Sequence, residues 1–318
     1  MNSILTKAKL GSLPGARPPV AVELSPQGVL AAASPAPGQP PVYAFEPLPE
    51  GALVPGIGEH NLCAPEVVAN AIRTALGQVA PRTRAVTLVV PDIVVRVFVL
   101  DFDSLPAKAA EAIPVLRFRL RKMVPFEVEH AGLSYQVLLE TKTDCKVLAA
   151  VLPGPVLTEY EAAVRQAGFE PGAVLPTSLA ALAAIDSADP ILAANLGALA
   201  LTTSITHGQD LLLYRTLDLP EDPALRLQEV QRGIAVAAAY YEDKLGSRPL
   251  LLHYAGIGAG ADLGGGSAAE DFARWIDSPD LPELTVADLA PRPETGAATP
   301  LGHLLSLAGV VGALAGAA

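Results

Sequence analysis

AANLGALALTTSITHGQDLLLYRTLDL, Ala193 to Leu219, is a nearly uninterrupted run of apolar and β-branched residues. It predicts two strands folded over a tight turn marked by His207-Gly208, with Asn195 and Gly197 at the mouth. An Asp two residues before a Gly at the start of such a hairpin suits a magnesium-bound phosphate. The carboxylate orients the metal's water shell, and glycine lets backbone amides approach phosphate oxygens. Here the acid is replaced by the Asn195 amide.

The same design occurs near the start of the chain. VAVELSPQGVLAAAS, Val20 to Ser34, reads strand, turn at Pro26-Gln27-Gly28, strand. Two similar hairpins, one near the start of each half, predict two related lobes rather than a short-period repeat. The proline-rich stretches on either side of the first hairpin exclude a central strand or a helix interior there. Further along, Val67, Val68, Ala71, Ile72 and Leu76 form one helical stripe. The section from about Ala85 to Pro153 reads β-β-α-β-β, with a helix from Ala107 to about Val124 that contains Pro114. Helices ending at Gly168 and Gly246 and the buried strand RPLLLHY follow, and the alternation of strands and helices makes the class α/β.

With 51% apolar residues in 318, the chain can build sizeable cores. Its formal charge of -11 opposes a general nucleic-acid role. Cys63 and Cys145 are the only cysteines, too few for a disulfide framework, and the five histidines are scattered without metal-ligand spacing. The first residues lack the apolar core of a signal peptide, which predicts a chain that is not exported. TPLGHLLSLAGVVGALAGAA at the end approaches the length of a membrane span but is glycine-rich and lacks flanking anchors, so it reads as a buried helix.

In their order, these landmarks resemble the actin-like ATPase superfamily. LPAKAAEAIPVLRFRLRKMVPFEVEHAGLSYQVL, with Pro125, Phe126, Glu127 and the Tyr135 to Leu138 strand, is similar to the type IV pilus assembly PilM family, relatives of the division protein FtsA. GAVLPTSLAALAAI, EVQRGIAVAAAYYEDKLG and LHYAGIGAG match later landmarks. The resemblance implies a two-lobed actin-like (ribonuclease H-like) fold: an N-terminal segment 1–17, a first lobe 18–190 with an inserted subdomain at about 85–153, and a second lobe 191–318 with a C-terminal helix. It also implies a cytoplasmic scaffold at the inner membrane's cytoplasmic face, membrane-bound only peripherally. The implied partner is the short N-terminal tail of a PilN-like bitopic membrane protein, with pilus motor ATPases as further candidates. An active ATPase that switches or polymerises, and a GspL-like secretion domain, are the alternatives.

In that superfamily both hairpins and a glycine loop line the nucleotide cleft, which would take ATP and Mg. The Asp-x-Gly pattern falls on Glu23-Leu24-Ser25 and on Asn195-Leu196-Gly197, so one hairpin loses its glycine and the other its charge. Gly256 and Gly258 begin the glycine loop, which reads equally as a crowded strand-to-helix turn. Glu229 and Arg232, three apart on a long helix, are either ribose or base contacts or an ordinary surface ion pair. These departures predict a degraded cleft in which hydrolysis is not expected. The resemblance places tail capture beside Phe118, Val124, Pro125 and Phe126, residues that a subdomain core would also use. Arg117, Arg119, Arg121 and Lys122 nearby are either a solvated face or a handle for anionic lipid or an acidic partner.

Overall fold

The computed structural model describes residues 17–34, 39–58, 60–185, 187–257, 267–279, 281, 283–290 and 306–315. The first lobe opens with β1 (Val20–Ser25), β2 (Gly28–Ala33) and β3 (Val42–Pro47), followed by helix α1 (Pro65–Gln78) and β4 (Ala85–Val90). After a short 3-10 turn at Asp92–Val94 come β5 (Arg96–Phe102), α2 (Ala109–Leu120), β6 (Gly132–Glu140) and β7 (Cys145–Leu152). The chain then returns through α3 (Gly154–Gln166), β8 (Glu170–Pro176) and α4 (Thr177–Leu182). The second lobe contains β9 (Pro190–Leu196), β10 (Ala200–His207), β11 (Asp210–Asp218), α5 (Pro223–Leu245), β12 (Leu251–Tyr254), α6 (Ala268–Ile276) and β13 (Thr285–Asp288), and α7 (Ala308–Ala315) ends the described chain.

The two lobe sheets repeat one topology. Their orders are β3-β2-β1-β4-β8 and β11-β10-β9-β12-β13, each a three-stranded antiparallel meander continued by two parallel strands. This repeat settles which turns correspond. The β1-β2 turn matches the β9-β10 turn at Gly197–Leu199, whereas His207-Gly208 joins β10 to β11 at the opposite end of the sheet. The opening stretch therefore supplies three strands instead of two. Alternating burial fails to mark the break because β10 is buried along both faces except at His207.

The inserted unit is also smaller than its sequence suggests. β4 is a largely apolar, buried strand held parallel between β1 and β8 in the lobe sheet, and the separate sheet begins at Arg96 with order β5-β7-β6. α2 covers one face of that sheet through Ala112, Leu116 and Leu120, with Pro114 inside the helix. The proline-rich stretch after β2 does contain a strand, β3, but at the sheet's edge, where missing donors face outward. On α1 the apolar stripe is Val68, Ala71, Ile72, Ala75 and Leu76, while Val67 is 41% exposed.

Local chemistry fixes the helix ends. Asp222 caps α5, accepting from the amides of Ala224 at 3.0 Å and Leu225 at 2.9 Å, worth about 1 kcal/mol. Gly246 ends α5 with φ 69°, a left-handed cap that suits glycine. Within the last segment, the described part forms a buried helix: α7 packs on β1, β2 and α4 of the first lobe, and Ala308 clusters with Ala255 and Ala290 of the second.

Candidate functional site

Where the ends of β1 and β9 face each other, a cleft of about 70 Å³ is lined by Glu23, Ser25, Asp92, Asn195, Gly197 and Gly256, among others. The fold thus gathers both hairpins and the start of the glycine loop, as the resemblance implied. Gly258 lies outside the described residues. A nucleotide-sized site measures roughly 300 Å³ or more, so this cleft is far too small as it stands.

At its floor lies a charge that the motif comparison passed over. Asp92, between β4 and β5, is buried. Its Oδ1 accepts from the Ser178 amide at 2.9 Å and the Tyr214 hydroxyl at 3.4 Å. Its Oδ2 accepts from the Ser178 hydroxyl, from Thr202 Oγ1 at 3.1 Å and from Asn195 Nδ2 at 3.2 Å. A carboxylate has about four lone-pair directions, and five donors exhaust them. Burial raises the Asp92 pKa against the pull of these donors. The Asn195 amide also donates to Ser178 Oγ at 3.1 Å. An Asp at 195 would bring a second negative charge to this network, so the loss of charge there follows from Asp92.

Glu23 stands in the opposite situation. Its carboxyl is pushed up to about 8, first by burial and then by Asp92, with the Thr177 hydroxyl pulling the other way. Thr177 Oγ1 lies 3.4 Å from Glu23 Oε1 and 3.0 Å from the Val90 carbonyl, and has one proton to give. Glu23 Oε2 is buried without a hydrogen-bond partner. It lies against Gly309 of α7, where any Cβ would strike the carboxyl.

One glycine amide in each hairpin is already engaged. The Gly28 amide donates to Ser25 Oγ at 3.3 Å, and Ser25 Oγ donates to the Gly28 carbonyl at 3.0 Å, so the serine closes the turn on itself. The Gly197 amide donates to the Ala200 carbonyl at 2.8 Å. Arg226 from α5 holds this turn from behind, donating to the carbonyls of Gly197 at 2.9 Å and Ala198 at 2.7 Å. Gly256 is required by packing, because a Cβ there would meet the Tyr254 hydroxyl and the Leu196 amide. Tyr254 in turn donates to the Ile257 carbonyl at 2.5 Å and stacks on Phe272 at 4.1 Å. This is the crowded-turn reading of the glycine loop.

Magnesium and ATP do not fit these residues. Asp92 has no free lone pair, Glu23 holds its proton near neutral pH, and the Gly28 and Gly197 amides are bonded within their turns. Nor does any group of three His, Cys, Asp or Glu able to hold a metal occur among the described residues. Glu229 and Arg232 pair with each other on α5, away from the cleft lining. The residue of α5 that does reach the hairpin, Arg226, lies one turn earlier. Asp92 was legible as a charge inside VVPDIVV, since a buried carboxylate must find donors.

The four partner residues are divided by the fold. Val124 is in the subdomain core and Phe126 packs partly against it, while Pro125 is exposed and Phe118 is 70% exposed. Val124 is therefore closed to a partner. A different groove, about 110 Å³, runs between the insertion and the first lobe. Three consecutive residues on each bank line it, Ser134, Tyr135 and Gln136 of β6 and Val174, Leu175 and Pro176 of β8. Ser134 and Gln136 stand opposite Ala150 and Leu148 of β7, which also line it, so the groove lies over the face of the insertion's sheet turned away from α2. β6 and β8 are each the last strand of their sheet.

No helix among the described residues is long and apolar enough to cross a membrane. No protein-family model and no curated protein matches the sequence. Among solved structures, a chain of a PilM-PilN type IV pilus biogenesis complex matches with a TM-score of 0.70 at 18% identity, over 96% of this chain and 100% of that one. The cytoplasmic domain of EpsL, an inner-membrane component of the type II secretion system of Vibrio cholerae, matches at 0.46 and 15% identity, over 74% of this chain and 81% of that one. A Bacteroides thetaiotaomicron protein of unknown function matches at 0.45 and 10%, over 81% and 87%. The last two likenesses are too loose to add weight. The chain has an actin-like ATPase fold, arranged along its whole length as in the pilus-complex structure.

Proposed function

We propose that this protein is a non-hydrolysing scaffold of a type IV pilus inner-membrane platform, holding the extended cytoplasmic tail of a PilN-like membrane protein. The observation that carries the reading is the groove between β6 and β8. β6 and β8 each end their sheet and can offer main-chain donors and acceptors to an extended peptide, and the apolar side chains of the groove, among them Leu148 and Leu179, give that peptide pockets. The cleft between the lobes supports the other half of the proposal. Asp92, Ser178, Asn195 and Thr202 are spent on one another there, joining the turn after β4 to α4, β9 and β10. The actin-like cleft then serves as an interlobe clasp.

Calorimetric titration of the full chain with a synthetic peptide of a PilN-like protein's cytoplasmic N-terminus tests this. Saturable binding that is unchanged by Mg-ATP is expected. Absence of binding removes the scaffold reading, and magnesium-dependent ATP turnover by the wild-type chain replaces it with the switching ATPase.

A further inference from the structure

Tail capture in the β6-β8 groove leaves the outward face of α2 without a role. Its inward residues, Ala112, Leu116 and Leu120, fill the subdomain core. Val115, Phe118, Arg119 and Lys122 follow the spacing i, i+3, i+4, i+7, the last just beyond the helix end, and all four are exposed. Every other Phe, Tyr and Trp of the chain is buried or half-buried, yet Phe118 is 70% exposed, with Val115 at 37% and Met123 at 41% beside it.

The charges on this face are not balanced as they are elsewhere on the subdomain. Lys108 lies 3.7 Å from Glu111, Arg121 pairs with Glu129, and Lys146 lies 3.9 Å from Asp101. Arg117 turns inward to the Ala131 carbonyl at 3.1 Å. Arg119 and Lys122 pair with no acid among the described residues, while Glu127 is the exposed acid that follows them in sequence. Two unpaired cations around an exposed aromatic ring on a chain of formal charge -11 form a local exception to the overall field.

We propose that this face of α2 docks on an anionic lipid surface, Phe118 and Val115 entering the headgroup boundary while Arg119 and Lys122 meet lipid phosphates. Charge complementarity selects the occupant: long cationic stems extend to phosphates as the apolar ring beside them leaves water. A bilayer accepts an exposed apolar tip without a groove of its own. So small an apolar area binds weakly and reversibly, as one of two attachments. The proposal does not depend on tail capture, because lipid contact and peptide binding use different surfaces of the subdomain.

The test is flotation of the full chain with phosphatidylglycerol-phosphatidylethanolamine vesicles and, separately, with phosphatidylcholine vesicles, at low salt. Binding to the first alone is expected. Arg119→Ala and Lys122→Ala should each weaken it about fivefold. Phe118→Trp supplies a second readout, since its added emission should shift to the blue on anionic vesicles only. No wild-type binding to anionic vesicles overturns the proposal, as does binding that leaves the position 118 emission unmoved. Loss of an acidic protein's binding in these variants, with vesicles ignored by the wild type, assigns the face to a protein and likewise overturns it.

Discussion

The side-chain amide of Asn195 donates to Oδ2 of Asp92 across 3.2 Å, tying the mouth of the second lobe's hairpin to the turn that follows β4 in the first. The position where the resemblance expects a metal-orienting acid is here a neutral donor to a buried carboxyl. The two lobes are thereby joined through hydrogen bonds.

Returning the acid should therefore weaken the protein without restoring nucleotide binding. Asn195→Asp removes a donor from Asp92 and adds a like charge, and disrupting a buried ionic network in this way costs about 3–5 kcal/mol. Asn195→Ala removes only the donor and should cost about 1–3 kcal/mol. Urea unfolding of the two variants checks the order, and equilibrium dialysis with Mg-ATP should show no gain for either. An Asn195→Asp variant as stable as the wild type would mean that the Asp92 network does not join the lobes.

Glu23 gives the protein a pH dependence of definite sign. Its folded pKa, about 8, exceeds the ordinary value of 4.5, so the folded state holds a proton that the unfolded chain has released. That stability is fully present below about pH 4.5 and declines as pH rises toward and through 8. Glu23→Gln should match the wild type near pH 5 and exceed it by on the order of a few kcal/mol at pH 9. Thermal unfolding from pH 5 to 9 should show a flatter slope for the variant, with the remaining slope due to Asp92, whose pKa burial also raises. Parallel slopes would show that Glu23 ionises freely.

Two glycines of α7 distinguish soft from hard contacts. A Cβ at Gly312 would meet the Ala180 carbonyl, fixed backbone of α4, whereas one at Gly309 meets the Glu23 carboxyl, a side chain that can rotate. Gly312→Ala should destabilise by about 1–3 kcal/mol through overpacking, more than Gly309→Ala, although alanine favours the helix intrinsically. Differential scanning calorimetry of both variants reads the difference, and equal effects would count against close seating of α7 on α4.

The groove can be filled without touching α2. Ala183→Trp places a large ring among Leu179, Val174 and Tyr135, so it should abolish peptide binding in the calorimetric titration. Phe118→Ser should leave that binding unchanged, since Phe118 does not line the groove. The reverse result would move the tail to the helix face.

Much of the scaffold was legible because its signals are short-range. Gly168 with φ 93° and Gly246 with φ 69° stop helices where the pattern placed them, and the β1-β2 turn falls at Pro26-Gln27. Burial of the C-terminal helix followed from small residues without charge. The family resemblance implied that Glu23, Ser25, Asn195, Gly197 and Gly256 are neighbours, and they line one cleft. Less legible were the start of the insertion, since β4 looks the same by composition in either sheet, and the division of Phe118, Val124 and Phe126 between solvent and core.

By itself, then, the sequence determined the two hairpins of similar design, the helix ends at Gly168 and Gly246, and the loss of the phosphate-binding pattern, because each is set by residues a few positions apart. Only the tertiary structure decided what replaced that pattern. Asp92 draws donors from 86, 103, 110 and 122 residues away. Such partners share no local spacing, and become neighbours only when β4, α4 and the second sheet converge on one buried carboxylate that must be satisfied.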